Sequence, residues 1–172
     1  MDSLKTFIRD IPDFPKLGIL YRDITPLLMN PDAFRSTVNA LEERYAGMNI
    51  TKIVAVESRG FIFASPLSYS LGAGFVPVRK QGKLPFDTIG KAYDLEYGKA
   101  TLEIHSDAIM KGDRVVVFDD LLATGGTASA SIALVEKLGG KVVEAGFVIE
   151  LSALNGRAKL RGTPVFSLLQ YD

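Results

Sequence analysis

Hydrophobic positions along the chain fall into segments of helical and of strand-like period. Leu4, Phe7 and Ile8 recur at helical spacing between Ser3 and Arg9, which predicts a short amphipathic opening. Pro12, Pro15 and Gly18 then impose an irregular stretch. Asn30-Pro31 has the form of a cap followed by proline at the first helical position, and Phe34, Val38 and Leu41 continue the helix to about Tyr45. Ile53-Val54-Ala55-Val56 is apolar on both faces, as a central parallel strand is, and it stops abruptly at Glu57-Ser58-Arg59-Gly60. A helix is expected from Phe61 to Leu71, closed by Gly72, and then a strand over Phe75-Val76-Pro77-Val78. Pro77 argues for the edge or end of that strand, because it cannot donate to a ladder. Lys80 to about Tyr93 reads as a long polar loop punctuated by glycine and proline, of the kind that is functional or mobile. A strand with polar alternation is expected around Leu102-Glu103-Ile104. Val115-Val116-Val117-Phe118 is the strongest strand signal and runs into Asp119-Asp120. A helix from about Gly126 to Leu138 ends at Gly139-Gly140, and closing strands are expected over 142–149 and 164–169.

Strand, turn, helix and strand in succession predict an α/β fold, an open, mostly parallel sheet flanked by helices on both faces. No repeat or Pro/Ser-rich linker divides the 172 residues, so one domain over 1–172 is expected. Such a length buries roughly 70% of the unfolded surface. Twenty Lys and Arg balance twenty Asp and Glu, so no basic field predicts nonspecific nucleic-acid binding. Absent cysteine removes disulfides and thiolate metal sites, and the single histidine, His105, removes two-histidine metal motifs and leaves little scope for a Ser-His-Asp hydrolase. His105 lies in an expected strand and reads as structural or surface. No apolar run approaches the ~20 residues of a membrane span. The opening Met1-Asp2-Ser3-Leu4-Lys5 lacks the charged and apolar segments of a secretory leader. A cytoplasmic protein without membrane partners is the expectation.

Chemistry concentrates in Val115 to Thr127, VVVFDDLLATGGT. A buried strand delivers two consecutive carboxylates, Asp119 and Asp120, to its C-terminal end, where ligands bind in open α/β sheets. Ala123-Thr124-Gly125-Gly126-Thr127 then opens a helix. Its glycines let backbone N–H groups turn toward a ligand, its helix start adds partial positive charge, and Thr124 and Thr127 add hydroxyls. The result is a phosphate cradle that is neither a Walker A loop, which needs Gly-Lys-Ser/Thr, nor a G-x-G-x-x-G dinucleotide loop. Two acids before an anion site make sense if the ligand also carries vicinal hydroxyls, as a ribose 5-phosphate does. Arg79, Lys80 and Lys83 form the local basic cluster; on residues alone it is a solvated face or a site for a dense anion.

The same string resembles the phosphoribosyl pyrophosphate signature of the type I phosphoribosyltransferases. The segments 18–26 (GILYRDITP), 57–61 (ESRGF), 79–85 (RKQGKLP), 93–98 (YDLEYG) and 166–171 (FSLLQY) are similar to the adenine-specific members of that family, in order and over nearly the whole chain. Gln81 stands where some members carry a base, and Glu57 where some carry aspartate. The resemblance implies transfer of a phosphoribosyl group from phosphoribosyl pyrophosphate to adenine, giving AMP and pyrophosphate. It implies Mg²⁺ carried mainly by the substrate rather than by protein ligands, and a homodimer. It implies a small N-terminal hood from about residues 1–30 that binds the base, and a mobile catalytic loop within Lys80 to Tyr97. By resemblance Asp119 and Asp120 hold the ribose hydroxyls, and Ala123 to Thr127 hold the 5-phosphate. Glu57, Ser58, Arg59, Arg79, Lys80 and Lys83 lie at the pyrophosphate, with a non-proline cis peptide at Glu57–Ser58. The Leu20 carbonyl takes the exocyclic amine of adenine, the Arg22 N–H reaches a ring nitrogen, and Tyr21 and Leu151 sandwich the ring. Glu96 matches the glutamate that handles the proton of the base.

Overall fold

The structure, a computed structural model, describes residues 2–94, 99–160 and 162–172. Glu96, expected to act on the base, lies outside the described residues, as does the rest of 95–98. A 3₁₀ turn over Asp2–Phe7 opens the chain and buries Leu4. The irregular stretch expected around Pro12 and Gly18 holds a hairpin instead. Strand β1 (Arg9–Pro12) pairs antiparallel with β2 (Leu20–Asp23), from Arg9 opposite Asp23 to Pro12 opposite Leu20. Pro12 ends its strand and the next proline follows a cis Phe14–Pro15 bond, so the prolines shape the turn without interrupting the ladder. A short helix α1 (Thr25–Met29), also unanticipated, leads into α2 (Pro31–Tyr45). The Asn30 side chain caps α2 by accepting from the N–H groups of Asp32 at 3.1 Å and Ala33 at 2.9 Å.

The main sheet consists of β3 (Lys52–Val56), β4 (Gly74–Lys80), β5 (Thr88–Asp94), β6 (Lys99–His105), β7 (Arg114–Leu122), β8 (Lys141–Leu151) and β9 (Val165–Tyr171). Their order is β5-β6-β4-β3-β7-β8-β9, and β4-β3-β7-β8-β9 is parallel throughout. β3 is therefore central, as its two-sided apolar pattern requires. Pro77 pairs with Ala55 of β3, whereas β6 meets β4 only at Arg79 and Lys80, so the proline sits where the outer side has no ladder to break. Helix α3 (Arg59–Leu71) follows β3 and stops at Gly72, whose φ of 65° is left-handed. Helix α4 (Gly126–Lys137) follows β7.

The expected loop from Lys80 to Tyr93 is a loop only in its first half. From Thr88 the chain is strand, because β6 offers a full antiparallel partner from Thr88 opposite His105 to Asp94 opposite Lys99. Propensity could not reveal that partner. His105, at the end of β6, packs edge-on against Phe86 at 6.1 Å between ring centroids.

The core lies on both faces of the sheet. Ile53, Ala55, Val116 and Phe118 pack toward one face with Leu41, Phe63 and Leu67, whereas Val54, Val115 and Val117 face Leu134, Val135 and Phe147. Phe63 and Leu67 of α3 are both fully buried and belong to this core. Each such side chain contributes ~1.5–3 kcal/mol by leaving water. Gly146 on β8 lets Tyr45 into this core. A Cβ there would stand 2.1 Å from the Tyr45 hydroxyl and 3.1 Å from the Phe118 ring. Gly146→Ala is expected to cost ~1–3 kcal/mol, as overpacking does. In thermal denaturation that lowers Tm by about 2–4 °C per kcal/mol. Adding Tyr45→Phe removes the obstructing hydroxyl and is expected to restore part of the loss. An alanine variant as stable as the parent contradicts the packing described.

Candidate active site

Two adjacent parallel strands, β3 and β7, send their crossovers in opposite directions, α3 toward β4 and α4 toward β8. The crevice beyond their C-terminal ends is the topological switch point at which open α/β sheets bind ligands. Glu57, Ser58 and Arg59 emerge from β3, with a cis peptide between Glu57 and Ser58. Asp119 and Asp120 emerge from β7. The two segments touch. A Cβ on Gly60 would lie 2.9 Å from Asp119 Oδ1 and 3.2 Å from its Cα, so only glycine lets the start of α3 approach β7 this closely.

The acids differ in their surroundings. Arg59 Nε donates to Asp120 Oδ2 at 2.8 Å, and a second Arg59 nitrogen donates to the Tyr21 hydroxyl. Asp119 Oδ1 accepts from the Asp120 N–H at 2.9 Å. Burial pushes the Asp119 carboxyl well above its ordinary range, and the neighbouring Asp120 charge adds to the shift. Burial raises Asp120 as well, opposed first by Arg59.

Beyond them, Gly125 takes φ 78° at the N-cap position just before α4, and no side chain caps this helix. The first intrahelical bond runs from Ser129 N–H to the Gly125 carbonyl, which leaves the earlier N–H groups without an intrahelical acceptor. They border a cavity of ≈ 80 Å³ lined by Asp119, Ala123, Thr124, Gly125, Gly126 and Thr127, among others. An adjoining cavity of ≈ 340 Å³ is lined by Glu57, Ser58, Arg59, Lys80, Asp120 and, shared with the first, Asp119 and Thr127. Together they present helix-start donors, a carboxylate pair and a cationic wall in one crevice, the inventory for a phosphorylated sugar with a further anionic group.

Of the expected basic residues, Lys80 lines this crevice, whereas Arg79 and Lys83 converge on Glu57. Arg79 donates to Glu57 Oε1 at 2.9 Å and Lys83 Nζ at 3.0 Å. Arg79 chiefly, then Lys83, holds the Glu57 carboxyl below its usual range. Leu20, Arg22 and Leu151 line a third, largely apolar cavity of ≈ 390 Å³. Tyr21 is not among its lining residues. Its ring meets Phe14 edge-on at 5.2 Å, and its hydroxyl accepts from Arg59. Tyr171 and Asp172 also line this cavity, and the Arg22 guanidinium stacks 4.1 Å from the Tyr171 ring centroid. Neither was singled out from sequence. Leu121, which lines both crevice cavities, was also missed, although its place two residues after Asp119 puts it on the same face of β7.

Among the described residues no group of three or more His, Asp or Glu side chains gathers as a metal site. Glu57, Asp119 and Asp120 are the carboxylates that line the larger crevice cavity, oxygen donors of the kind a hard divalent cation takes.

A carboxyl whose folded pKa is raised contributes stability that is fully present below its unfolded pKa and lost as pH rises through the folded value. Asp119→Asn, which can keep the bond to the Asp120 N–H, is therefore expected to raise Tm at neutral and alkaline pH. The gain is about 2–4 °C per kcal/mol recovered, and it should vanish at a pH below the ordinary aspartate range. A neutral-pH Tm below that of the parent contradicts the assigned environment.

Residues 30–168 match the phosphoribosyl transferase domain family. The chain is 61% identical over 169 residues to the adenine phosphoribosyltransferase of Carboxydothermus hydrogenoformans, covering 98% of this chain and 99% of that one. It superposes on the crystal structure of the adenine phosphoribosyltransferase of Thermoanaerobacter pseudethanolicus with a TM-score of 0.96 and 52% identity, covering 99% of both chains. For the Saccharomyces cerevisiae enzyme, complexed with an imino-altritol bisphosphate and adenine, the TM-score is 0.92 at 44% identity, with 97% of each chain covered. With the carboxylate pair, the helix-start cradle and the cationic wall in one crevice, these likenesses show that the chain belongs to the adenine phosphoribosyltransferases of the phosphoribosyl transferase family.

Proposed function

We propose that this chain transfers the 5-phosphoribosyl group of phosphoribosyl pyrophosphate to adenine, giving AMP and pyrophosphate. The observation that carries the reading is the direct succession of Asp119 and Asp120 by an uncapped helix start at the switch point of the sheet. In this reading the cradle of Ala123 to Thr127 binds the 5-phosphate through backbone N–H groups and the hydroxyls of Thr124 and Thr127. Asp119 and Asp120 accept from the ribose hydroxyls, and their negative charge favours the positive charge that builds on the ring as the C1–oxygen bond to pyrophosphate breaks. Ser58, Arg59 and Lys80, with Arg79 and Lys83 behind Glu57, hold the leaving pyrophosphate. Mg²⁺, held mainly by substrate oxygens with Asp119 and Asp120 nearby, supplies further neutralisation of phosphate charge when bound.

Adenine enters the apolar cavity beside β2. There the Leu20 carbonyl accepts from its amine, the Arg22 N–H donates to a ring nitrogen, and Leu151 packs on the ring. Tyr21 is the other half of the proposed sandwich. A carbonyl acceptor leaves hypoxanthine and guanine unsatisfied where adenine has its amine. The base loses a ring proton as its C–N bond to the ribose forms, and Glu96 takes it. Residues 1–30 form the hood of a single 1–172 domain, and the segment within Lys80 to Tyr97 covers the reacting carbon against water. The proposed setting is the cytoplasm; separately, among the described residues no helix is long and apolar enough to cross a membrane. A homodimer is supported by the outer face of α3, where Tyr69 is 91% exposed, Ile62 is 39% exposed, and Phe61 meets Phe75 at 5.4 Å.

Incubation with phosphoribosyl pyrophosphate, Mg²⁺ and a panel of bases is expected to yield AMP from adenine and little product from hypoxanthine, guanine or orotate. Absence of adenine turnover overturns the function. Chelation of the metal should abolish turnover and added Mg²⁺ restore it. Glu96→Gln is expected to lower kcat ~10²–10⁴-fold with little change in substrate binding, and to flatten one limb of the pH–rate profile. An unchanged kcat removes Glu96 from the chemistry. In sedimentation at micromolar concentration the active protein is expected to run at twice the monomer mass; a fully active monomer refutes the dimer.

A further inference from the structure

Glu150 is a buried carboxylate that the proposed reaction does not use. It stands on β8 between Leu122 of β7 and Gln170 of β9, its side chain 6% exposed. Arg157 binds both of its oxygens, Nε to Oε1 at 2.6 Å and an amino nitrogen to Oε2 at 2.7 Å. The other amino nitrogen donates to the Val165 carbonyl at 2.9 Å. This forked pair fixes the guanidinium in one plane and one place. The residue before it, Gly156, touches the loop before α4. A Cβ on Gly156 would stand 2.2 Å from the Ala123 carbonyl oxygen, and a Cβ on Gly125 would stand 2.4 Å from the Gly156 carbonyl oxygen. Two backbones are thus packed directly on one another, with no side chain between them.

We infer that Arg157 is a positioning residue for the phosphate cradle: clamped on Glu150, it presses Gly156 against Ala123 and Gly125 and so sets where the N–H groups at the start of α4 point. The inference rests on the reading of Ala123 to Thr127 as the 5-phosphate site. A helix start aims its donors only as well as the loop before it is held, and binding sites need their groups placed to within about 0.5 Å. The loop has no side-chain cap of its own. The neighbouring 3₁₀ segment Gly156–Lys159 supplies the support, and the buried acid beneath gives that segment a fixed anchor.

The test compares affinity for AMP with affinity for adenosine, which lacks only the phosphate, by titration calorimetry. Arg157→Ala is expected to weaken AMP ~10–10²-fold, the scale of an ångström-sized misplacement, and to leave adenosine unchanged. Arg157→Lys, which keeps the charge but cannot fork, is expected to fall between. Gly156→Ala, which wedges the two backbones apart, should reproduce the loss without touching the ion pair. Equal losses for both ligands, or intact AMP affinity in a folded Arg157→Lys or Gly156→Ala variant, overturn the inference. Thr127→Val separates it from the reading beneath. If that change spares AMP affinity, the cradle assignment fails and the inference with it; if it lowers AMP affinity while the Arg157 and Gly156 variants do not, the inference alone fails.

Discussion

Two consecutive carboxylates at the end of a buried strand repel each other, and much of the crevice is arranged around keeping them there. Burial alone raises both toward their neutral forms. Arg59 offsets that by binding Asp120 at 2.8 Å, and it reaches Asp120 only because β3 lies beside β7 and because Gly60 lets α3 start against Asp119. Asp119 has the Asp120 N–H and no guanidinium, so it is the more destabilised of the two. Groups held at a cost to the empty protein are the groups a ligand with hydroxyls and phosphate charge relieves, and active sites commonly trade stability for function in this way.

Arg59 also ties the crevice to the hood. One face of its guanidinium system serves Asp120, and another nitrogen reaches Tyr21 on β2. The ribose acids, the loop after β3 and the base-side strand therefore meet on one side chain. On the opposite flank, the Glu150–Arg157 fork and the Gly125–Gly156 contact hold the loop before α4. The site is thus framed by arginines bound to carboxylates at both ends, while the sheet beneath supplies the rigidity.

Much of this was legible in the residues. Ile53 to Val56 and Val115 to Phe118 are apolar at every position because both sheet faces are covered, and every one of them is buried. Asn30-Pro31 and Gly72 mark helix ends through local chemistry that no distant contact overrides. The strand β5 was hidden because its stability comes from β6, and the β1–β2 hairpin because prolines and glycine masked short strands. In the site, the motif from Asp119 to Thr127 is contiguous and could be read directly. The assembly of Arg59 on Asp120, of Arg79 and Lys83 on Glu57, and of Arg157 on Glu150 joins residues from different elements. Such pairs follow from sheet order, which pattern along the chain does not reveal.

The central claim is that Asp119 and Asp120 face a ribose while the start of α4 holds its phosphate. A crystal structure of the protein with AMP tests it most directly. The account predicts the phosphate within hydrogen-bond reach of the backbone N–H groups and hydroxyls of Thr124 to Thr127, the ribose hydroxyls against Asp119 and Asp120, and the adenine ring beside Leu20 and Leu151. A phosphate seated elsewhere, or a ribose turned away from both carboxylates, contradicts it.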